Sequence, residues 1–227
     1  MLLRHTFFEL VSLIMGTDSV TRDNTNDDVV TTATGKETVT QKSVMITSKS
    51  DWDHVDRKTV EMIVVNNKCC NEEDFNILDL SDFQRLKELI IGYECFENVK
   101  VVRLVGMNEL ESVMIGDKSF TKAKEISLQS LGSDPIRHFY LKNCSKIRSL
   151  KIGRFSFLDY SVCRIENVPS LEVIEFGDVN RDSANFAEAS LELRSCFILN
   201  PISGRYAVSQ DCGHWACNNA CAKTYCF

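Results

Sequence analysis

The chain lacks the residue constellations on which catalysis usually rests. No G-x-S-x-G elbow, H-E-x-x-H, G-x-x-x-x-G-K-[ST] or G-x-G-x-x-G motif occurs in its 227 residues. Its four histidines, His5, His54, His138 and His214, lie in separate segments. A nucleophile, base and orienter are therefore hard to assemble, and the expectation is a protein that is not an enzyme and needs no cofactor. A concentrated basic surface is missing too. Residues 86–193 carry 16 acids against 14 bases, so a nucleic-acid partner is not expected. The densest basic run, Lys142, Lys146, Arg148, Lys151 and Arg154, is interleaved with apolar positions and reads as a solvated face. No apolar run approaches the ~20 residues that span a bilayer.

Metal-ligand spacing is equally scarce. The stretch DWDHVD at 51–56 lacks the glycine turn and closing Glu of a calcium loop and reads as a solvated acidic segment. Of ten cysteines, Cys95, Cys144, Cys163 and Cys196 are scattered, as buried free thiols would be, whereas Cys212, Cys217, Cys221 and Cys226 crowd the last sixteen residues. That crowded tail has no C-x-x-C knuckle. It is read as a loosely packed end, a disulfide-linked end or a metal site, and the three alternatives stay open. Asn143 heads the one glycosylation sequon and sits at an expected turn.

What the chain does contain is self-similarity. Residues 86–96, 110–120 and 147–157 read LKELIIGYECF, LESVMIGDKSF and IRSLKIGRFSF. Each has an apolar residue at the first and fourth positions, Ile at the sixth, Gly at the seventh and Phe at the eleventh. A fourth copy, LEVIEFG at 171–177, reaches its aromatic late, at Phe186, as a short loop insertion would require. Six residues before each copy stands an aliphatic side chain (Leu80, Leu104, Leu141, Ile165), and two before that another apolar or small one (Leu78, Val102, Phe139, Cys163). This spacing predicts a second short strand per repeat. Copies begin at 86, 110, 147 and 171, so the spacing is 24 residues except for a central interval of 37. The thirteen extra residues fall in TKAKEISLQSLGSDPI, which carries its own turn signal. Phe139–Leu141, rather than Ile126–Leu128, is expected to form the second strand there.

A unit of this length cannot bury its own apolar face. About six buried side chains at ~1.5–3 kcal/mol each do not offset ordering costs of ~1–2 kcal/mol per residue, so stacking on neighbours must supply the rest. The glycine is expected to close each strand in a backbone conformation hostile to a Cβ. The Phe is expected to plug the bend from inside.

The pattern L-x-x-L-x-I-G-x-x-x-F followed by a second aliphatic pair resembles the leucine-rich-repeat family, and within it the short repeats of surface-antigen-type proteins of anaerobic bacteria and protists. The resemblance implies a β-rich solenoid, a leucine-rich-repeat-like stack of about 24-residue coils with short parallel strands on two faces. Where the family usually carries an Asn that ties coils together, the ninth position holds Glu94, Lys118 and Phe155. No Asn ladder exists, and a flatter stack with strands on both sides is expected.

The organisation then follows. Residues 1–50 form an N-terminal segment and polar linker without fixed structure, 51–195 the repeat array and 196–227 the Cys-rich tail. The entering strands VEMIVV and NILDL extend the pattern back to about residue 60. Within 1–50, Arg4 precedes a mostly apolar stretch, Phe7–Met15, that faintly resembles a signal peptide. Glu9 interrupts it and no clean cleavage site follows, so it reads as a loosely packed amphipathic helix or a disordered end. The expected function is a non-enzymatic scaffold that binds a protein partner through the exposed strand face: Glu88, Ile90, Ser112, Met114, Ser149, Lys151 and Glu175. Ile90 and Met114 are apolar where solvent is expected, which marks either an interface or a face covered by the N-terminal segment. The alternative function is a metal-binding or redox-responsive protein acting through the C-terminal cysteines.

Overall fold

The computed structural model describes residues 43–122, 133–178, 183–187 and 189–196. Expectations for residues 1–42, for Ile126–Leu128 and for residues 197–227 lie outside the described residues. The elements are β1 (Ser43–Ile46), α1 (Lys49–Asp53), β2 (Met62–Val65), β3 (Ile77–Asp79), β4 (Glu88–Ile91), β5 (Val101–Val105), β6 (Ser112–Ile115), β7 (Asp134–Lys142), β8 (Ser149–Ile152), β9 (Tyr160–Val168), β10 (Val173–Phe176) and β11 (Ser190–Cys196). They form a six-stranded sheet A in the order β1-β2-β4-β6-β8-β10 and a five-stranded sheet B in the order β11-β9-β7-β5-β3. Every pairing is parallel. From β2 onward the chain alternates between the two sheets, and one apolar core draws on both.

The register follows the sequence spacing. Leu89 pairs with Val113 and Val113 with Leu150 in sheet A. Val102 pairs with Phe139 and Phe139 with Cys163 in sheet B, and Leu104, Leu141 and Ile165 form the adjacent file. All of these side chains are buried. Side chains alternate faces along a strand, so the fourth and sixth positions enter the core while the third and fifth face away. Strand β7 includes Phe139 and Leu141 but starts earlier, at Asp134. Its Arg137, 1% exposed, holds the Asp159 carboxylate at 3.2 Å and donates to the carbonyl of Glu97 at 2.8 Å.

Beyond sheet A the eleventh positions form a file of rings. Phe96 and Phe120 stack at 5.1 Å, Phe120 and Phe157 at 4.7 Å, and Phe157 and Phe186 at 4.8 Å, with planes within 12° of parallel. The late Phe186 thus takes the position of the missing fourth aromatic. A further copy precedes the four: in VEMIVVNNKCC at 60–70, buried Cys70 occupies the eleventh position. Trp52 of α1 packs edge-on against Phe96 at 5.8 Å and tilted against Phe75 and Phe83. The helix is fixed by reciprocal capping. Ser48 accepts from the Asp51 N–H, and the Asp51 carboxylate accepts from the N–H and hydroxyl of Thr47.

Two sequence expectations are corrected here. The linker was expected to run to residue 50, but β1 and the start of α1 lie within it, because Val44 and Ile46 pack onto the core edge and Trp52 closes its end. Of the repeat glycines only Gly177 has a left-handed backbone (φ 73°); Gly92, Gly116 and Gly153 serve another purpose. A Cβ on Gly116 would lie 2.6 Å from the carbonyl carbon of Gly92, and one on Gly153 would lie 2.5 Å from that of Gly116. Successive repeats approach too closely there for any side chain. The left-handed residues are instead the ninth and eleventh: Glu94 (φ 54°), Phe96 (58°), Lys118 (55°), Phe120 (58°), Phe155 (60°) and Phe157 (59°).

That turn is sustained by bonds to the repeats on either side. Lys118 N–H donates to the carbonyl of Arg154 at 2.8 Å, and Phe120 N–H to that of Cys95 at 2.8 Å. The tie between repeats, sought at the ninth position, is carried by the tenth. Buried Ser119 donates its hydroxyl to the Gly92 carbonyl at 2.8 Å and accepts from the Cys95 N–H at 3.1 Å. Buried Ser156 donates to the Gly116 carbonyl at 2.8 Å and accepts from the Ser119 N–H at 3.0 Å. Asn185 ends the file, donating to the carbonyls of Gly153 and Ser156.

Candidate functional site: the outer face of sheet A

Two files of side chains point away from the core on sheet A. One runs Met62, Glu88, Ser112, Ser149, Val173, and the other Val64, Ile90, Met114, Lys151, Glu175. All seven residues expected on the strand face therefore do lie on one face, in two neighbouring files. Six of them are half-buried. Ile90 departs from expectation: it is 1% exposed, not solvent-facing. It belongs to a small apolar cluster with Val64, 3% exposed, and Met62, separate from the main core. Val64 and Met62 were overlooked as face residues. The signal that could have found them was the copy at 60–70, which sets them in register with Ile90 and Glu88.

The face changes character along its length. Toward β10 it is ionic, with Lys151 and Glu175 paired at 3.1 Å. Toward β2 it is apolar, and among the described outward-facing residues of β2, β4 and β6 the one carboxylate is that of Glu88. One of its oxygens is buried without a hydrogen-bond partner. Burial, reinforced by the nearby Glu111, pushes the Glu88 carboxyl above its ordinary value of 4.5.

Elsewhere the charges are matched between repeats. The dense basic run is answered residue by residue: Lys142 by Glu166 at 3.2 Å, Lys146 by Glu109 at 2.8 Å, Arg148 by Glu172 at 3.1 Å and Arg154 by Asp117 at 2.9 Å. The outer face of sheet B follows suit, with Asp79 against Arg103 at 3.4 Å and Arg164 against Glu192 at 2.8 Å. Exposed pairs of this kind are each worth only ~0–1 kcal/mol of stability.

The acidic stretch at 51–56 is spent on local structure. Asp51 caps α1, Asp53 pairs with Lys49 at 3.1 Å, and Asp56 accepts from Thr59 and from the Lys58 N–H. Among the described residues no group of three or more His, Cys, Asp and Glu side chains is placed to hold a metal ion. Cys95, Cys144 and Cys163 are free and buried. Burial pushes the Cys95 thiol up to about 12 and the Cys144 thiol up to about 11, and raises Cys163 further. They remain protonated and poorly nucleophilic. The tail cysteines, Cys212, Cys217, Cys221 and Cys226, lie outside the described residues. Among the described residues no helix is long and apolar enough to cross a membrane.

No protein-family model matches this chain, no curated protein matches it, and no solved structure matches its fold.

Proposed function

We propose that the two parallel sheets are the flanks of a leucine-rich-repeat-like solenoid, and that the protein is a non-enzymatic scaffold binding a protein partner through the outer face of sheet A. The polarity of that face supports this reading: an apolar patch at Met62, Val64, Ile90 and Met114 grades into the Lys151–Glu175 pair. Adjacent apolar residues rimmed by polar ones are the usual make-up of a protein contact. The opposite sheet carries cross-strand ion pairs on its outer face instead of an apolar patch.

Capture with the full chain and three single variants tests it. A specific partner should be retained by the wild type and by the sheet B variant Arg103→Glu, and lost with Met114→Glu or Lys151→Glu. Equal retention by all four proteins, or no specific partner for any of them, would overturn the assignment.

A further inference from the structure

We propose that Cys69 and Cys95 together bind a soft, thiophilic cation of the Cu(I) type, held in line between their two sulfurs at the start of the tenth-position file. The inference is independent of the contact face on sheet A, since both residues lie in the turns beyond its strands.

The starting observation is a bond that repeats. The tenth side chain of a repeat donates to the carbonyl of the seventh residue in the repeat before it: Ser156 to Gly116, Ser119 to Gly92, and the thiol of Cys95 to Asn66 at 3.0 Å. Cys69 continues the file, its thiol donating to the carbonyl of Thr47 at 3.1 Å. Thr47 and Asn66 directly follow the register partners Ile46 and Val65, so the two thiol bonds are the same bond one strand apart. That sets the sulfurs ~4.8 Å from each other. The Cys69 N–H is aimed at the Cys95 sulfur, just as the Cys95 N–H is bonded to Ser119 Oγ at 3.1 Å. A disulfide needs its sulfurs ~2.05 Å apart. A linear unit of two metal–thiolate bonds, at the ~2.3 Å length found with zinc, spans ~4.6 Å and fits the file as it stands.

Sulfur is not what the file itself requires, because the hydroxyls of Ser119 and Ser156 make the same bond. Access is provided at Cys69, the one free cysteine among the described residues that is not buried. It borders a cleft of about 320 Å³ shared with Thr47, Ser48, Lys68 and Glu72. The carboxylates of Glu72 and Asp51 set a negative field on its sulfur, which draws a cation into the cleft. Cys95 lies behind it, buried. Thiolates select soft cations such as Cu(I). Among the described residues no third His, Cys, Asp or Glu side chain is placed to join the pair, so it suits a cation content with two ligands better than zinc, which takes four. Each thiol releases its proton to solvent on binding, and two protons leave for each cation taken up.

Titration of the full chain with Cu(I), without oxygen and against the chelator bicinchoninate, tests the site. The tail cysteines are thiols too, so the background is the variant Cys212→Ser/Cys217→Ser/Cys221→Ser/Cys226→Ser. That background should take up a single Cu(I), and adding either Cys69→Ser or Cys95→Ser should abolish the uptake. Both additions are expected to fold, because serine already holds the same place at Ser119 and Ser156. A second reading needs neither of them: in the background variant Cu(I) should slow maleimide labelling of Cys69 about tenfold, as occupancy of the site dictates, and Zn(II) should not. Absence of uptake by the background variant, or uptake that survives both serine substitutions, overturns the site. Labelling of Cys69 that Cu(I) leaves unchanged also overturns it, and equal protection by Zn(II) overturns the two-ligand assignment.

Discussion

Phe120 lies between Phe96 and Phe157 in one file, its ring 4.7 Å from that of Phe157 with planes 6° apart. The file couples repeats whose Phe residues are 24 or 37 positions apart in sequence. It is reached through a left-handed backbone that costs ~1–2 kcal/mol per non-glycine residue, so the burial of the ring must outweigh that cost. Phe120→Ala is expected to lose ~3–5 kcal/mol of stability. Hydrogen exchange should show loosened amides in the repeats carrying Phe96 and Phe157 as well, because stability in stacked repeats is shared between neighbours. Loss confined to the Phe120 repeat would contradict that coupling.

Gly116 and Gly106 should respond differently to the same substitution. Gly106 has φ +71° with nothing near its missing Cβ, and Asn143 and Asn167 adopt similar backbones in the corresponding turns of the next two repeats. Gly106→Asn is therefore expected to be nearly neutral. Gly116→Asn, facing neighbouring backbone at 2.6 Å, should cost ~1–3 kcal/mol or more through overpacking. Thermal unfolding of the two variants separates close approach from backbone conformation as the reason for glycine.

Ser119→Ala should leave the Gly92 carbonyl and the Cys95 N–H without their partner. The expected loss is ~1–3 kcal/mol, that of orphaning buried polar groups. Ser119→Cys should be milder, since Cys95 holds the equivalent place and donates its thiol to the Asn66 carbonyl at 3.0 Å. Denaturant midpoints of the two variants give the comparison, and equal losses would show that shape rather than hydrogen bonding governs the position.

Glu88 carries a pH signature. Its carboxyl is raised in the fold above the ordinary 4.5, chiefly by burial, so the folded chain holds this proton more tightly than the unfolded one. Its contribution to stability is then most favourable at low pH, and falls as pH rises from the unfolded value through the folded one. Glu88→Gln should stabilise the protein at neutral pH, with the difference vanishing below about pH 4, where both states are protonated. Unfolding of wild type and variant across that range checks the sign; a variant less stable at neutral pH would mean that the carboxylate is well satisfied.

What this sequence determines by itself is whatever depends on counting along the chain. The spacing of Leu89, Val113 and Leu150 fixes which side chains share a file, because a parallel strand one residue out of register would turn its apolar set to the wrong face. The same arithmetic places Phe139 and Leu141 opposite Val102 and Leu104 across a 37-residue interval. What only the tertiary structure decided is what each residue meets across the gap to the next repeat. The reason for Gly116 is the backbone of Gly92, and the role of Ser119 is to bond Gly92 and Cys95. Trp52 finds its place among the rings of Phe75, Phe83 and Phe96, which lie 23 to 44 residues further along the chain. Ile90 looked exposed by alternation and is buried, because alternation says which face a side chain occupies and not what lies over that face. Periodicity is a local property that a sequence displays directly, whereas close approach and cover arise between segments that only folding brings together.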